Sequence, residues 1–275
     1  MTAEPLNITS TLLAGDPAEL ATGVRPILLA GPSLGTSVEA VWGPAIAHLE
    51  RDFLVIGWDL PGHGRSEPTV APFTMEELAD AVEASLARLI KEHHVPATTP
   101  IMAAGVSIAG AVALTLALRK DTRINRLSAV CTAAKIGTPE SWAERAELVE
   151  RAGTPTMVEG AAARWFAPGF MSRKPAVSTA ILSSLQYTDR HSYAHACHAL
   201  GGYDLTGEMK NLARPLLLIH GAEDPVCSPA EADAIVNTCS AGADVRAVTL
   251  DSVAHLAPAE APEETARLLV EFLNA

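Results

Sequence analysis

Positive charge is scarce in this sequence. Its 275 residues include 20 Lys and Arg against 32 Asp and Glu, which gives a formal net charge of -12 and a pI near 5.2. A surface of this sign repels phosphate backbones and anionic lipid headgroups. The composition therefore argues against nucleic acid and against a membrane surface as partners.

Cysteines and long apolar runs are also few. Cys131, Cys197, Cys227 and Cys239 lie far apart, with no C-x-x-C pair and no zinc-type spacing, so we expect reduced, mostly buried thiols and no metal. The first ten residues contain Glu4 and no basic start followed by an apolar stretch, and no later segment stays apolar long enough to span a bilayer. These absences predict a cytoplasmic protein without a signal peptide.

Apolar residues are nevertheless plentiful. Hydrophobic residues make up 48% of the chain and charged residues 19%, which is typical of a globular protein and excludes disorder as the main state. The length suits one large α/β domain with room for a buried pocket. We expect a monomer or a small homo-oligomer.

Two apolar periodicities alternate along the chain. Short apolar runs typical of buried strands occur at 27–30, 53–58, 101–104, 127–132, 216–220 and 245–250. Apolar residues at helical spacing occur at 38–49, 75–91, 108–118, 229–238 and 262–273. The alternation predicts an α/β fold whose central sheet is mainly parallel and covered by helices on both faces. Residues 6–13 are predicted to add an antiparallel edge strand.

The alternation stops between residues 133 and 213. This region has helix-like pieces separated by Pro and Gly, and it lacks an apolar run that would form a strand. We interpret residues 133–213 as an inserted helical cap, and residues 1–132 with 214–275 as the core domain.

A serine stands where a predicted strand meets a predicted helix. Residues 105–110 read GVSIAG, which is close to the G-x-S-x-G pattern, although Ala109 replaces the second glycine and Gly110 follows it. Small neighbours in such a turn let the serine hydroxyl project from the sheet edge. The pattern predicts Ser107 as a nucleophile; the alternative is a glycine-rich helix start that is capped by a serine.

A serine nucleophile needs a base, and the base needs a carboxylate that orients it. Asp224 follows the strand at 216–220 and His255 follows the strand at 245–250, so both lie after carboxyl ends of strands, where open α/β sheets place their sites. The order Ser, Asp, His along the chain is the one expected when the nucleophile lies on a turn between a strand and a helix. We predict a triad that needs no cofactor; Glu223 and Asp251 are the competing acids.

Acyl transfer also requires donors for an oxyanion. Residues 31–35 read GPSLG and join the first predicted parallel strand to a helix. The backbone N–H groups of Leu34, in this loop, and of Ile108, directly after the serine, are the predicted donors. The alternative is an ordinary turn between a strand and a helix.

Several histidines offer other interpretations. His63 lies near Asp59 in a loop rich in Gly and Pro, and we favour a structural role for it over a catalytic one. His191, His195 and His198 share one helical face, which could form a metal cluster. Because no carboxylate or cysteine stands at matching spacing, a solvated or cap-packing face is favoured.

Taken together, these motifs resemble the α/β-hydrolase superfamily over essentially the whole chain and, more narrowly, the 3-oxoadipate enol-lactonases. The narrower resemblance rests on GPSLGT at 31–36, WDLPGHGRS at 58–66, TAAKIGTPESW at 132–142 and RWFAPGF at 164–170. The resemblance implies hydrolysis of the ring ester of 3-oxoadipate enol-lactone to 3-oxoadipate, in the β-ketoadipate pathway of aromatic compound degradation.

The implied substrate is a small lactone that carries a carboxylate. Because the protein is acidic overall, a cation in the cap has to bind that carboxylate, and Lys135, Arg145 and Arg164 are the candidates. Trp142 and Trp165 are candidate pocket walls. Solvated charges and cap-core packing are the alternatives for these five residues.

Two rival functions fit the same sequence. A broad-range carboxylesterase or a carbon-carbon bond hydrolase could use the same scaffold and triad. A ligand receptor with weak turnover could also retain this fold.

Overall fold

A computed structural model of the chain describes residues 6–273, so the predicted limits of the core at residues 1 and 275 lie outside the described residues. The strands in this range are β1 Ser10–Ala14, β2 Ile27–Gly31, β3 Leu54–Trp58, β4 Ile101–Val106, β5 Arg126–Val130, β6 Leu216–Gly221 and β7 Val245–Leu250. The α-helices are α1 Pro17–Leu20, α2 Val38–Leu49, α3 Met75–Glu92, α4 Ile108–Ala117, α5 Pro139–Ala152, α6 Val158–Trp165, α7 Phe170–Arg173, α8 Pro175–Tyr187, α9 Arg190–Gly201, α10 Pro229–Thr238, α11 Ala257–Glu260 and α12 Pro262–Leu273. Short 3-10 helices occur at Thr154–Met157 and Met209–Asn211.

The strands form one sheet in the order β1-β3-β2-β4-β5-β6-β7. Only β1 runs antiparallel to its neighbour, and each of the other pairings is parallel. Every residue of β2, β3, β4 and β6 is buried, as expected for apolar strands that helices cover on both sides. Helix α2 packs against α11 and α12, and α3 packs against α4. The predicted α/β fold is confirmed.

The edge strand lies further along the chain than predicted. It spans Ser10–Ala14 rather than residues 6–13, because its partner β3 ends at Trp58, which pairs with Ser10. The backbone of Thr9 is instead engaged by the loop that follows β3: its N–H donates to Ser66 Oγ, and its carbonyl accepts from Asp59 N–H.

Between β5 and β6 the described chain forms helices α5 to α9 and no strand, as the sequence predicted for the inserted segment. Thr138 begins α5 with its side chain accepting from Ser141 N–H, and α5 packs closely against α9. The domain limits at 132/133 and 213/214 stay a prediction. None of the helices in residues 6–273 combines the length and the apolar character that crossing a bilayer requires.

The order of the strands in the sheet creates a crevice at the carboxyl ends of β2 and β4. From β2 the chain adds β3 on one side and then places β4 on the other side of β2, so the direction of strand addition reverses between β2 and β4. Loops that leave adjacent strands at such a reversal separate from each other and open a crevice. Those loops carry Leu34 after β2 and Ser107 after β4.

Candidate active site

Ser107 occupies a sharp turn between β4 and α4. Its backbone has φ 57° and ψ −114°, a region that costs a non-glycine residue about 1–3 kcal/mol and persists only when neighbours hold it. Ser107 N–H donates to Val130 O at 2.9 Å, and Ser107 O accepts from Thr132 Oγ1 and from Ala111 N–H, each at 2.8 Å. The adjacent strand β5 and the first turn of α4 therefore fix the serine backbone.

Small residues make the turn sterically feasible. A Cβ atom on Gly105 would lie 2.1 Å from the carbonyl oxygen of Ala109, which no side chain could tolerate. The Ala109 methyl group, where the usual motif has glycine, faces Gly31, whose own Cβ would lie 2.5 Å from it. The glycine at 31 thus makes room for the alanine at 109.

Asp224 and His255 form a buried pair. Asp224 Oδ2 lies 2.9 Å from His255 Nδ1, and their side chains are 0% and 2% exposed. The other carboxylate oxygen, Oδ1, accepts from the N–H groups of Val226 at 2.8 Å and Cys227 at 3.1 Å. These bonds fix the carboxylate, which in turn orients the imidazole so that Nε2 is available to a nucleophile.

The competing acids lie outside this pair. Glu223 and Asp251 are both exposed, and within residues 6–273 neither is hydrogen-bonded to His255. Ser107 and His255 line one cavity, although no hydrogen bond joins the Ser107 hydroxyl to His255 in the described chain. Such catalytic bonds are commonly long before substrate binds.

Two backbone N–H groups are oriented by the loops around Ser107. Ser33 N–H donates to Thr36 Oγ1 at 3.1 Å, and this hydroxyl donates back to Ser33 O at 2.8 Å, so the loop after β2 is closed on itself. Gly35 adopts φ 81°, which completes this turn. Within the described residues, neither Leu34 N–H nor Ile108 N–H donates to another protein group. Both donors are thus available for an oxyanion.

The cavity above Ser107 has a volume of about 200 Å³, below the ~300–1,000 Å³ that is typical for drug-sized ligands. The core lines it with Ser33, Leu34, Ser107, Pro225, Val226 and His255, and the helical segment with Ile136, Gly137, Ser141, Trp142, Arg145, Met157, Ala161, Arg164, Trp165, Leu185 and Tyr193. No Asp or Glu occurs among these described lining residues. A larger cavity of about 370 Å³ beside β1 and α3 is not lined by Ser107, Asp224 or His255.

Arg145 and Arg164 bring two positive charges to the cavity. Both side chains are half-buried, and neither forms an ion pair within residues 6–273. Burial lowers the pKa of Arg164, and the nearby charge of Arg145 lowers it further. The guanidinium of Arg145 also lies over the ring of Trp142, 4.6 Å from its centroid. The two cations are therefore close together, and no carboxylate of residues 6–273 forms an ion pair with either of them.

Lys135 is not part of this site. Its Nζ lies 2.9 Å from Asp204 Oδ2, both side chains are exposed, and Lys135 does not line the cavity. The neighbouring Ile136 faces the cavity instead, so the lysine is directed outward to the carboxylate. Trp142 and Trp165 are both buried and both line the cavity, as expected for pocket walls.

Sequence reasoning did not single out several of the residues in this site. Met157, Leu185 and Tyr193 line the cavity from three different helical pieces, and no motif marks them. Glu260, in the segment VAHLAPAEAP, accepts hydrogen bonds beside His255. A lone acid in that apolar stretch was the one available signal.

The remaining histidines have other surroundings. His63 is buried, its Nδ1 lies 2.8 Å from Pro61 O, and burial lowers the pKa of its imidazole to about 4. Its ring stacks on Tyr193 with centroids 6.2 Å apart, and it does not line the cavity. No group of three or more His, Cys, Asp or Glu in residues 6–273 could hold a metal ion, which includes the face with His191, His195 and His198.

Comparisons with known proteins agree with this architecture. The family model described as "Serine aminopeptidase, S33" matches residues 44–261. The chain is 34% identical to 3-oxoadipate enol-lactonase 2 of Acinetobacter baylyi over 75% of its own length and 74% of that protein. It is 31% identical to 3-oxoadipate enol-lactonase 1 of the same organism over 73% of its own length and 72% of that protein. The crystal structure of an enol-lactonase from Burkholderia xenovorans superposes with a TM-score of 0.86 at 29% identity, covering 98% of this chain and 96% of that one.

The chain therefore belongs to the α/β-hydrolase superfamily. It is an ester or lactone hydrolase, and the resemblance to the 3-oxoadipate enol-lactonases that its motifs indicated is confirmed by these relatives.

The turn at Ser107 can be tested with Gly105→Ala. The added methyl group would overlap Ala109 O, so we expect the free energy of unfolding to fall by about 3 kcal/mol or more. Gly207→Ala is the matched control, because a Cβ on the exposed Gly207 meets nothing within 4 Å and the φ of Gly207 is not positive, so we expect its free energy of unfolding to change by no more than about 0.5 kcal/mol. Urea unfolding measures both; equal stability of the two variants would contradict the packing described for the turn.

Proposed function

We propose that this chain hydrolyses 3-oxoadipate enol-lactone, a small anionic lactone, to 3-oxoadipate in the β-ketoadipate pathway of aromatic compound degradation. The observation that carries the proposal is the pair of cations, Arg145 and Arg164, in the cavity that also contains Ser107 and His255. The names of the Acinetobacter and Burkholderia relatives support the same substrate.

The charge distribution favours a carboxylate-bearing substrate. With a net charge of -12, the protein as a whole repels anions, so an anionic ligand gains affinity only from local cations. Two half-buried guanidinium groups without a carboxylate partner are costly, because they repel each other and are partly removed from water. A substrate carboxylate would relieve this repulsion and accept charge-assisted hydrogen bonds.

Acylation follows from the positions of the triad. As Ser107 Oγ attacks the ring carbonyl, His255 Nε2 takes its proton, and Asp224 stabilises the resulting imidazolium. The carbonyl oxygen becomes an oxyanion that the N–H groups of Leu34 and Ile108 hold. Collapse of this intermediate breaks the ring C–O bond and expels an enolate. After this bond has broken, the enolate takes the proton held by His255 Nε2 and becomes a ketone, which leaves His255 neutral.

Deacylation uses the same groups. The enolate is a better leaving group than an alkoxide, so the first step needs little acid assistance and His255 is free to return to its neutral form. It then takes a proton from a water molecule that attacks the acyl ester, and it gives a proton to Ser107 Oγ as the ester bond breaks. The second carboxylate of 3-oxoadipate forms at Ser107, while the first remains at the arginine pair.

The first prediction from the proposed function concerns the nucleophile. Ser107→Ala removes the attacking oxygen, so we expect kcat for the enol-lactone to fall on the order of 10⁵- to 10⁶-fold, with the fold retained. Loss of enol-lactone absorbance measures the rate, and circular dichroism checks the fold. An inactive wild-type protein would end the lactonase proposal, whereas wild-type activity on simple nitrophenyl esters far above that on the lactone would favour the broad-range carboxylesterase.

The second prediction concerns the cation pair. Arg145→Gln and Arg164→Gln each remove one charge from the cavity, so we expect KM for the anionic lactone to rise about 10- to 100-fold and KM for a neutral nitrophenyl ester to change little. Lys135→Gln is the matched control, because that cation pairs with Asp204 away from the cavity. A KM for the lactone that is the same in all three variants and the wild type would show that the pair does not bind the carboxylate.

A further inference from the structure

The loop that carries His255 is held by the carboxylate of Glu260. Glu260 Oε1 accepts from Ala254 N–H at 3.0 Å and from Leu256 N–H at 3.4 Å, which are the residues on either side of His255. The carboxylate thus bonds the backbone on both sides of the histidine without touching its imidazole. This contact is separate from the one that Asp224 makes to the ring.

The same carboxylate also reaches the inserted helical segment. Glu260 Oε2 accepts from Ala167 N–H at 2.6 Å, and His255 N–H donates to Trp165 O at 3.3 Å. Residues 165–167 begin at the last residue of α6, whose Arg164 and Trp165 line the cavity. The end of the segment that faces the substrate is therefore fastened directly to the histidine loop by two hydrogen bonds.

The carboxylate of Glu260 is energetically unfavourable at its position unless it does more than fill space. It is half-buried, and its desolvation raises the pKa of its carboxyl, whereas the N–H groups of Ala167, Ala254 and Leu256 lower that pKa. Removing a carboxylate from water is unfavourable unless several donors compensate for the lost hydration. Here all three compensating donors belong to the two segments that flank the active site.

We propose that Glu260 is a positioning residue that holds His255 in reach of Ser107 and joins the histidine loop to residues 165–167. This inference rests on the proposed function, because it assigns His255 the role of base for Ser107. A displacement of a catalytic group by about 1 Å can reduce a rate on the order of 100-fold. Loosening this carboxylate should therefore slow the chemical step itself, and not only weaken substrate binding.

Two substitutions of Glu260 remove its hydrogen bonds to different extents. In Glu260→Gln one amide oxygen can still accept from one segment, but the NH₂ group faces an N–H donor of the other segment, so one connection is broken. Glu260→Ala breaks both. Glu263→Gln is the matched control, since Glu263 is exposed at the start of α12 and loses the same charge.

The measurement separates positioning from binding and from folding. The fraction of active enzyme is determined from the endpoint of Ser107 labelling by a nitrophenyl phosphonate. The kcat per active site and the KM are then measured for the enol-lactone and for neutral nitrophenyl acetate. We expect Glu260→Gln to lower kcat per site about 10-fold for both substrates and Glu260→Ala to lower it further, with Glu263→Gln unchanged. Thermal melting checks that each variant is folded. If Glu260→Ala does not fold, the kcat per site of Glu260→Gln still tests the positioning role.

Three outcomes would overturn the inference. The first is that Glu260→Gln keeps the wild-type kcat per site on nitrophenyl acetate. The second is that Glu260→Gln changes only the KM for the lactone. The third is that Glu263→Gln lowers kcat per site as much as Glu260→Gln does. Failure of the proposed function has a different signature: either the wild-type protein would not hydrolyse the enol-lactone, or Ser107→Ala would hydrolyse it at the wild-type rate, whatever the Glu260 variants do to kcat on nitrophenyl acetate.

Discussion

The site depends on the backbone of Ser107, which is held at a positive φ by β5 and the first turn of α4. Because the serine cannot relax without breaking those bonds, its hydroxyl has a fixed place at the edge of the sheet. The N–H group of Ile108 is placed by the same turn, since Ile108 follows the serine directly, whereas the N–H group of Leu34 is placed by the separate loop after β2. Strain at Ser107 is thus supported by a packed sheet, and it orients the serine hydroxyl and the N–H group that follows it.

In the proposed function, recognition is supplied by a different part of the chain from catalysis. The proposed triad and oxyanion donors come from loops of the sheet, whereas the arginine pair and most of the apolar wall come from the segment between β5 and β6. A net charge of -12 makes this local positive region stand out, because the rest of the molecule contributes the opposite field. In the proposed function, the cavity therefore selects a small anion within an acidic protein.

Sequence reasoning succeeded where periodicity and strand ends carry the information. Helices α2 and α10 begin and end where the apolar spacing placed them, α12 begins where it was placed, and Ser107, Asp224 and His255 follow carboxyl ends of strands, as expected. It was less informative about side-chain direction in the inserted segment. Whether Lys135 or Arg145 faces the cavity depends on how α5 packs against α9 and on the pairing of Lys135 with Asp204, neither of which a single sequence specifies.

The bonds between residues 165–167 and the histidine loop have a consequence for protein engineering. A designer who transplants the helical insertion from a relative, in order to change which molecules enter, would also replace the main-chain partners of Glu260 and of His255. Such chimeras should retain their chemistry only when the donor sequence presents the same N–H and carbonyl groups at the junction after α6. If Glu260 positions His255 as proposed, an exchange of the insertion therefore changes selectivity and turnover together, because both depend on the backbone of residues 165–167.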